Sequence, residues 1–230
     1  MSLEARAETL LELMDDPDCD PARLNATIRR FDLVNRLVSG WGSVYRARLR
    51  PFLAGLGRPA SVLDLGCGGG DVVARLARLA ERDGLDVHWT AADPDPRVHA
   101  VAAARPPRPD IDHVCTDAST LRARGLRYDA VISNHVLHHL RADELAGFIA
   151  ASAALATGLV LHSDIARSRL AYGLYAVGVT PLAPGTFLRT DGLRSIRRSF
   201  RPDELLALAG PHWLVETPVP FRLLMVRDDA

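Results

Sequence analysis

The chain has 230 residues, 48% of them hydrophobic, which suits one domain with a full core, or one domain with an appendage. Its 28 basic and 28 acidic residues cancel, which excludes a strong global field for gathering on nucleic acid or an anionic membrane. The three cysteines, Cys19, Cys67 and Cys115, are isolated and odd in number, so neither a disulfide framework nor a zinc site is expected.

Glu4, Arg6 and Glu8 interrupt the start, against a signal peptide. No apolar run reaches the roughly 18 residues of a spanning helix. The expectation is a cytoplasmic protein without a membrane span, a monomer or homodimer, with no nucleic-acid partner.

Residues 2–14 carry Leu3, Leu10, Leu11 and Leu13 at helical spacing and predict a first helix, broken at 15–21. Residues 22–50 predict one or two more, with Leu24, Ile28, Phe31, Val34, Leu37 and Val38 at steps of three and four and an interruption at Gly40 and Gly42. A short buried strand follows at 61–65. Gly66, Gly68 and Gly70 then make a tight turn, and Asp71 opens an amphipathic helix through residue 79. Such a turn lets a ligand approach the main chain, and the helix start offers unpaired N–H groups. The dinucleotide fingerprint needs its third glycine at position 71, which is Asp71. A carboxylate there repels a pyrophosphate. A cationic nucleoside is better served: S-adenosylmethionine carries a sulfonium and an amino group, and Asp64 and Asp71 flank the turn.

The run at 61–71, with Asp64, Gly66, Gly68 and Gly70, resembles motif I of the class I S-adenosylmethionine-dependent methyltransferases. The resemblance implies an α/β fold: a Rossmann-like seven-stranded sheet with a terminal antiparallel hairpin, binding S-adenosylmethionine and releasing S-adenosylhomocysteine. Cys67 reads as a small filler of the cofactor turn rather than a nucleophile. Residues 31–41 resemble the start of the ubiquinone and menaquinone C-methyltransferases, although Ser39 and Gly40 are adjacent here. That likeness implies that Phe31, Asn35 and Trp41 cover the cofactor; a plain packing helix is the other reading.

The second strand, 87–92, ends at Asp93, where a carboxylate can accept both ribose hydroxyls; the family's motif II has its acid here. Pro94 follows and a helix runs to 103. After the third strand, 111–115, the family places an acid beside the adenine amino group. Asp117 matches, Ala118 offers backbone contacts, and the other reading of Asp117 is a helix cap. The fourth strand, 128–134, resembles motif IV and is followed by a V-L-H-H-L turn. Asn134 and His135 stand past its carboxyl end, where ligands of open α/β sheets sit. His138 and His139 are each a base or a packing residue.

A helix at 141–156 and a fifth strand at 158–163 come next. His135, His138, His139 and His162 are the candidate bases for an acceptor hydroxyl. Arg167 and Arg197 are candidates to hold an acid, phenolate or enolate oxygen, against a solvated basic face for Arg194, Arg197 and Arg198. A helix from 165 to 179, a loop with Pro181, Pro184 and Gly185, a helix from 201, and two closing strands at 212–219 and 222–227 complete the chain. The plan is a helical lid at 1–57 and a methyltransferase domain at 58–230 with an acceptor cap inserted at 166–200. The function so implied is in-line methyl transfer, on oxygen or carbon, to a small aromatic, phenolic, quinol-like or polyketide acceptor. The alternatives are an RNA or protein methyltransferase of the same fold and a non-catalytic S-adenosylmethionine-binding protein. Asn134-His135-Val136-Leu137 departs from the Asn/Asp-Pro-Pro-Tyr/Phe motif of amino methylation. No metal is expected, since the acids around Asp164 and Asp191 are too few for a magnesium site.

Overall fold

The structure, a computed structural model, describes residues 3–228. Helix α1 (Pro21–Val38) is capped by Asp20, whose carboxylate accepts from the Ala22 and Arg23 amides, and Pro21 occupies its first turn. Gly40, at φ 72°, breaks it. The chain then turns through α2 (Trp41–Val44), a π-helical turn (Tyr45–Leu49) and α3 (Arg50–Gly55). Five strand–helix units follow: β1 (Ala60–Leu65) and α4 (Asp71–Arg82), β2 (Val87–Asp93) and α5 (Pro96–Ala103), β3 (Ile111–Cys115) and α6 (Ala118–Ala123), β4 (Tyr128–Asn134) and α7 (Ala142–Leu155), β5 (Ala156–Ile165) and α8 (Arg169–Gly178). Helices α9 (Leu188–Arg198) and α10 (Pro202–Ala209) lead into the hairpin of β6 (Leu214–Glu216) and β7 (Arg222–Asp228).

The sheet order is β3-β2-β1-β4-β5-β7-β6. The first five strands are parallel, and β7 runs antiparallel to both β5 and β6. β1 and β4 are apolar on both faces because each face is covered. One face packs Val62, Ala130, Ile132 and Leu161 against Trp41, Tyr45, Leu49 and the buried side of α4. The other packs Leu63, Val131 and Val160 against Leu145, Leu155, Leu205 and Trp213. Strand order reverses between β1 and β4, and that switch point is where a ligand crevice forms in such sheets.

The first expected helix is absent from the described residues. Residues 3–20 run as an irregular strap, not as a helix over 2–14; residue 2 lies outside the described part. Besides isolated turns of its own, the strap spends amides on α9 in place of a helix ladder. The Ala7 amide donates to the Arg197 carbonyl at 2.9 Å, and the Leu13 and Met14 amides donate to Asp191 at 2.8 and 3.0 Å. A second difference is α9, an eleven-residue helix where the sequence suggested only a shared face for three arginines. The closing strand at 212–219 shortens to three residues.

Gly66 holds φ at 68°, and a Cβ there would meet Val136 Cγ2 at 2.5 Å. Gly66→Ala is therefore expected to cost about 2 kcal/mol or more by backbone strain and the clash together, read as a fall in Tm.

Candidate functional site

A cavity of about 1200 Å³ opens at the carboxyl edge of the sheet across the switch point. It is lined by Asp64, Gly66, Cys67, Gly68, Asp93, Pro94, Asp117, Ala118, Asn134, His135, His138 and His139, with Phe31 and Asn35 from α1. Fourteen positions chosen from sequence thus line one cavity. Gly70 shapes the turn from behind, with φ 73° and its amide on the Cys67 carbonyl at 2.9 Å. Trp41 does not face the cavity; it is buried in the core against α4, so its expected role as a cofactor cover is withdrawn.

Three carboxylates meet at the glycine turn. Asp64, at the end of β1, is 1% exposed, and neither of its oxygens has a hydrogen-bond partner. Burial, then Asp71 and Asp93, push its carboxyl well above the ordinary range. Asp71 accepts a 3.0 Å hydrogen bond from Asn35 Nδ2, which ties α1 to the start of α4. Asp93 accepts the Gly68 amide on Oδ2 and the Asp95 amide on Oδ1, both at 3.0 Å. Burial raises its carboxyl and these two N–H groups oppose the rise. Each oxygen keeps a second lone pair for a ligand. Asp117 is exposed and caps α6, accepting the Thr120 amide at 2.7 Å, which holds its carboxyl down; the cap reading holds, on the cavity rim. Arg36, Arg46 and Arg75 line the cavity beside these acids, and sequence reading missed them. Asp71 and Arg75 are four apart on α4, so helical spacing was the available signal for the last.

The opposite end is built on the turn after β4. His135 adopts φ 61°, and its amide reaches the Ser163 carbonyl at 2.9 Å. Buried Arg222, from β7, donates to His135 Nε2 at 2.5 Å, to Asn134 Oδ1 at 3.0 Å and to Ser163 Oγ at 2.9 Å. A guanidinium only donates, so His135 is neutral with its proton on Nδ1. Burial and Arg222 hold its pKa well below the usual value. His135, one of the four candidate bases, thus presents a hydrogen-bond donor on Nδ1. Burial also brings Arg222 down to about 10, against the pull of Asp164.

His138 is 1% exposed. Its Nδ1 lies 2.7 Å from Asp164 Oδ1, and its amide donates to Asp164 Oδ2 at 2.8 Å. Its Nε2 lies 3.3 Å from Glu12 Oε1 of the strap. Burial pushes the imidazole pKa down, but Asp164 and Glu12 outweigh it and raise it to about 9. Half-buried His139 places Nε2 3.8 Å from Glu12 and Nδ1 3.3 Å from Asp15. Burial raises Asp15, yet His139 and Arg198 bring it to about 2. Arg198 clamps the turn, donating to the His138 and His139 carbonyls at 3.2 and 2.8 Å. Arg6 adds bonds to the His138 and Leu140 carbonyls at 3.1 and 2.5 Å.

Three candidates stand elsewhere. His162 is a core residue: Nδ1 and Nε2 bridge Ser133 and Ser152 at 2.8 and 2.9 Å, and the ring stacks on Trp213. Burial lowers its pKa to about 3. His162→Ala is expected to cost roughly 2–4 kcal/mol of stability while the protein that remains folded binds ligand unchanged, measured by denaturant titration and calorimetry. Arg167 is buried on the carbonyls of Leu3, Glu4 and Ser199 and on Glu204, so it staples the strap rather than an acceptor. Arg197 lies off the cavity. Asp164 and Asp191 do not pair as a metal site, since His138 and the strap amides occupy them. Glu12, His138 and His139, in contrast, each place a ligand atom within 4.8 Å of the others. Glu12 and Asp15 had no signal in the sequence, being more than a hundred residues from their partners. Arg222 had one: a charge opening the apolar run Leu223, Leu224, Met225, Val226.

A family model described as a methyltransferase domain matches residues 62–158. The ubiquinone biosynthesis O-methyltransferase of Brucella ovis is 31% identical over 148 residues, 63% of this chain and 56% of that protein. That of Methylocella silvestris is 32% identical over 151 residues, 63% and 54% respectively. The chain thus spans a little over half the length of these relatives. Among solved structures, the plantazolicin methyltransferase BpumL in complex with SAH aligns over 97% of this chain and 96% of its own at TM-score 0.67 and 12% identity. Human N-acetylserotonin methyltransferase in complex with SAM aligns over 87% and 54% at TM-score 0.62 and 15% identity. Residues 62–158 thus match a methyltransferase domain, and the sheet order belongs to the fold that the chain shares with these solved methyltransferases.

Proposed function

We propose that this protein transfers a methyl group from S-adenosylmethionine to a small acceptor seated between the turn after β4 and the strap. The observation that carries the reading is Asp64: a buried carboxyl without any hydrogen-bond partner, beside two more carboxylates, facing a cavity behind a glycine turn. A cationic ligand fits that arrangement and a pyrophosphate does not. When bound, S-adenosylmethionine supplies a methyl group already made electrophilic by its sulfonium. Asp64 and Asp71 face its ammonium group, Arg36 and Arg75 its carboxylate, Asp93 its ribose, and Asp117 with Ala118 its adenine. Phe31 and Asn35 close it from α1.

Asn134 and His135, fixed by Arg222, present donors toward the acceptor. Glu12, His138 and His139 are the groups placed to orient an acceptor oxygen; His138, held protonated by Asp164 and Glu12, donates to it, and Glu12 or His139 takes its proton. The strap and cap exclude water, so alignment of nucleophile and methyl does much of the work. The relatives, O-methyltransferases of ubiquinone biosynthesis, favour an oxygen acceptor.

The test is calorimetric titration with S-adenosylmethionine and, separately, NAD. Micromolar binding of the former alone supports the reading and leads to a screen of phenolic and quinol-like acceptors. Binding of NAD alone overturns it. Binding of S-adenosylmethionine with no acceptor methylated favours a non-catalytic binding protein. Asp93→Ala is expected to weaken S-adenosylmethionine about tenfold or more without unfolding, since charge-assisted bonds contribute roughly 1.5–3 kcal/mol; unchanged affinity in the same titration removes Asp93 from the ribose.

A further inference from the structure

We propose that Glu12, His138 and His139 form a site for a zinc-class divalent cation at the acceptor end of the cavity, with Asp164 orienting His138 for coordination. The ligands come from the strap and from the turn after β4. His138 Nε2 is 3.3 Å from Glu12 Oε1, and His139 Nε2 is 3.8 Å from the same oxygen. Ligands about 2.0–2.1 Å from a tetrahedral ion lie about 3.3–3.4 Å apart. The first pair already has that spacing, and a small rotation of the half-buried His139 ring closes the second.

His138 Nε2 supplies an independent sign. It is buried and makes no hydrogen bond, its neighbour being the Glu12 carboxylate at 3.3 Å. The core histidine His162 differs, with both nitrogens bonded. On its far side His138 meets Asp164 through Nδ1, and the second Asp164 oxygen takes the His138 amide. A carboxylate on one imidazole nitrogen and a metal on the other is the usual support for a metal-bound histidine. The cation replaces the proton that Glu12 and Asp164 otherwise hold on the ring.

Two imidazoles and a carboxylate suit zinc better than magnesium or calcium, which favour oxygen ligands throughout. Three protein ligands leave a fourth position, and all three residues line the cavity. An acceptor hydroxyl in that position is both placed and made more acidic. This last step rests on the methyl-transfer reading; the cation site does not.

Protein stripped with a chelator and dialysed is titrated with zinc chloride in a calorimeter, and with cobalt(II) chloride followed by visible absorption. One equivalent is expected, with the ligand-field spectrum of four- or five-coordinate cobalt, lost when zinc is added. Asp164→Asn and His139→Ala are each expected to weaken zinc about 10–100-fold. His139 is half-buried, so that variant folds even where Asp164→Asn does not. Folded protein that takes up no zinc at micromolar concentration overturns the proposal. So does zinc uptake unchanged in both Glu12→Gln and His139→Ala, which places the ion elsewhere. A parallel S-adenosylmethionine titration separates the two readings: zinc bound without the nucleoside leaves the cation site and removes methyl transfer, and the reverse result does the opposite.

Discussion

Asp64→Asn is expected to stabilise the free protein and to weaken S-adenosylmethionine, two effects of opposite sign from one atom change. In the free protein the Asp64 carboxyl is buried, unpartnered and next to Asp71 and Asp93. Its folded-state pKa is raised above the unfolded value. Between those two values the folded chain binds the extra proton, so stability falls as pH rises through the window. The asparagine variant lacks that slope. At pH 8 its Tm should exceed that of the parent by roughly 2–8 °C, the equivalent of about 1–2 kcal/mol in a chain of this size, and the gap should close on acidification toward pH 4. In the proposed complex the same carboxylate faces the cofactor's ammonium group, and its loss should weaken binding about 10–100-fold. Melting curves across pH and calorimetry of both proteins decide the matter. A higher Tm with unchanged affinity takes Asp64 out of the cofactor site. A lower Tm makes it a structural residue.

The cofactor end of this molecule is legible in the sequence because its determinants are local. A strand, four glycines and two acids within eleven residues dictate the turn at 61–71. Asp93 and Asp117 each sit at or just past the end of a strand, so register alone delivers them to one edge. β3 and β4 fall on their expected residues for the same reason: short apolar runs between breakers. The acceptor end is different. Its parts come from positions 12, 15, 138, 164, 198 and 222, and no spacing rule connects a strap to a strand-end turn more than a hundred residues away. The strap misled for a physical reason. Leu10, Leu11 and Leu13 carry helical spacing, but amide bonds to Asp191 and to the Arg197 carbonyl replace the helix ladder, and Leu11 stays exposed. His162 misled because a strand-end histidine looks alike whether its ring faces the crevice or the core. Period-two alternation puts His162 and Asp164 on one face and Ser163, with Arg222, on the other, but only tertiary packing sets His162 between two serines and Asp164 against His138.

His138→Ala and His139→Ala, adjacent in sequence, are expected to fail in different ways. His138 is the cationic partner between Asp164 and Glu12, all three buried. Removing it takes the cationic partner from two buried carboxylates and leaves a cavity in place of a ring, which costs about 3–5 kcal/mol. The His138→Ala variant should therefore unfold at much lower denaturant, and its low turnover alone says nothing about chemistry. His139 is half-buried, and its contacts with Glu12 at 3.8 Å and Asp15 at 3.3 Å are long. A pair of that kind contributes at most about 1 kcal/mol. His139→Ala should keep a Tm within a few degrees of the parent. If His139 orients the acceptor oxygen or carries its proton, turnover should still fall about 100-fold or more, within the range of roughly 10²–10⁴ that positioned proton-transfer groups supply. Melting curves and single-turnover methylation of the acceptor found by screening give the two readouts. Turnover preserved in His139→Ala assigns that ring to packing; the orienting role of protonated His138 is then probed with His138→Gln, which keeps a hydrogen-bonding side chain between Asp164 and Glu12.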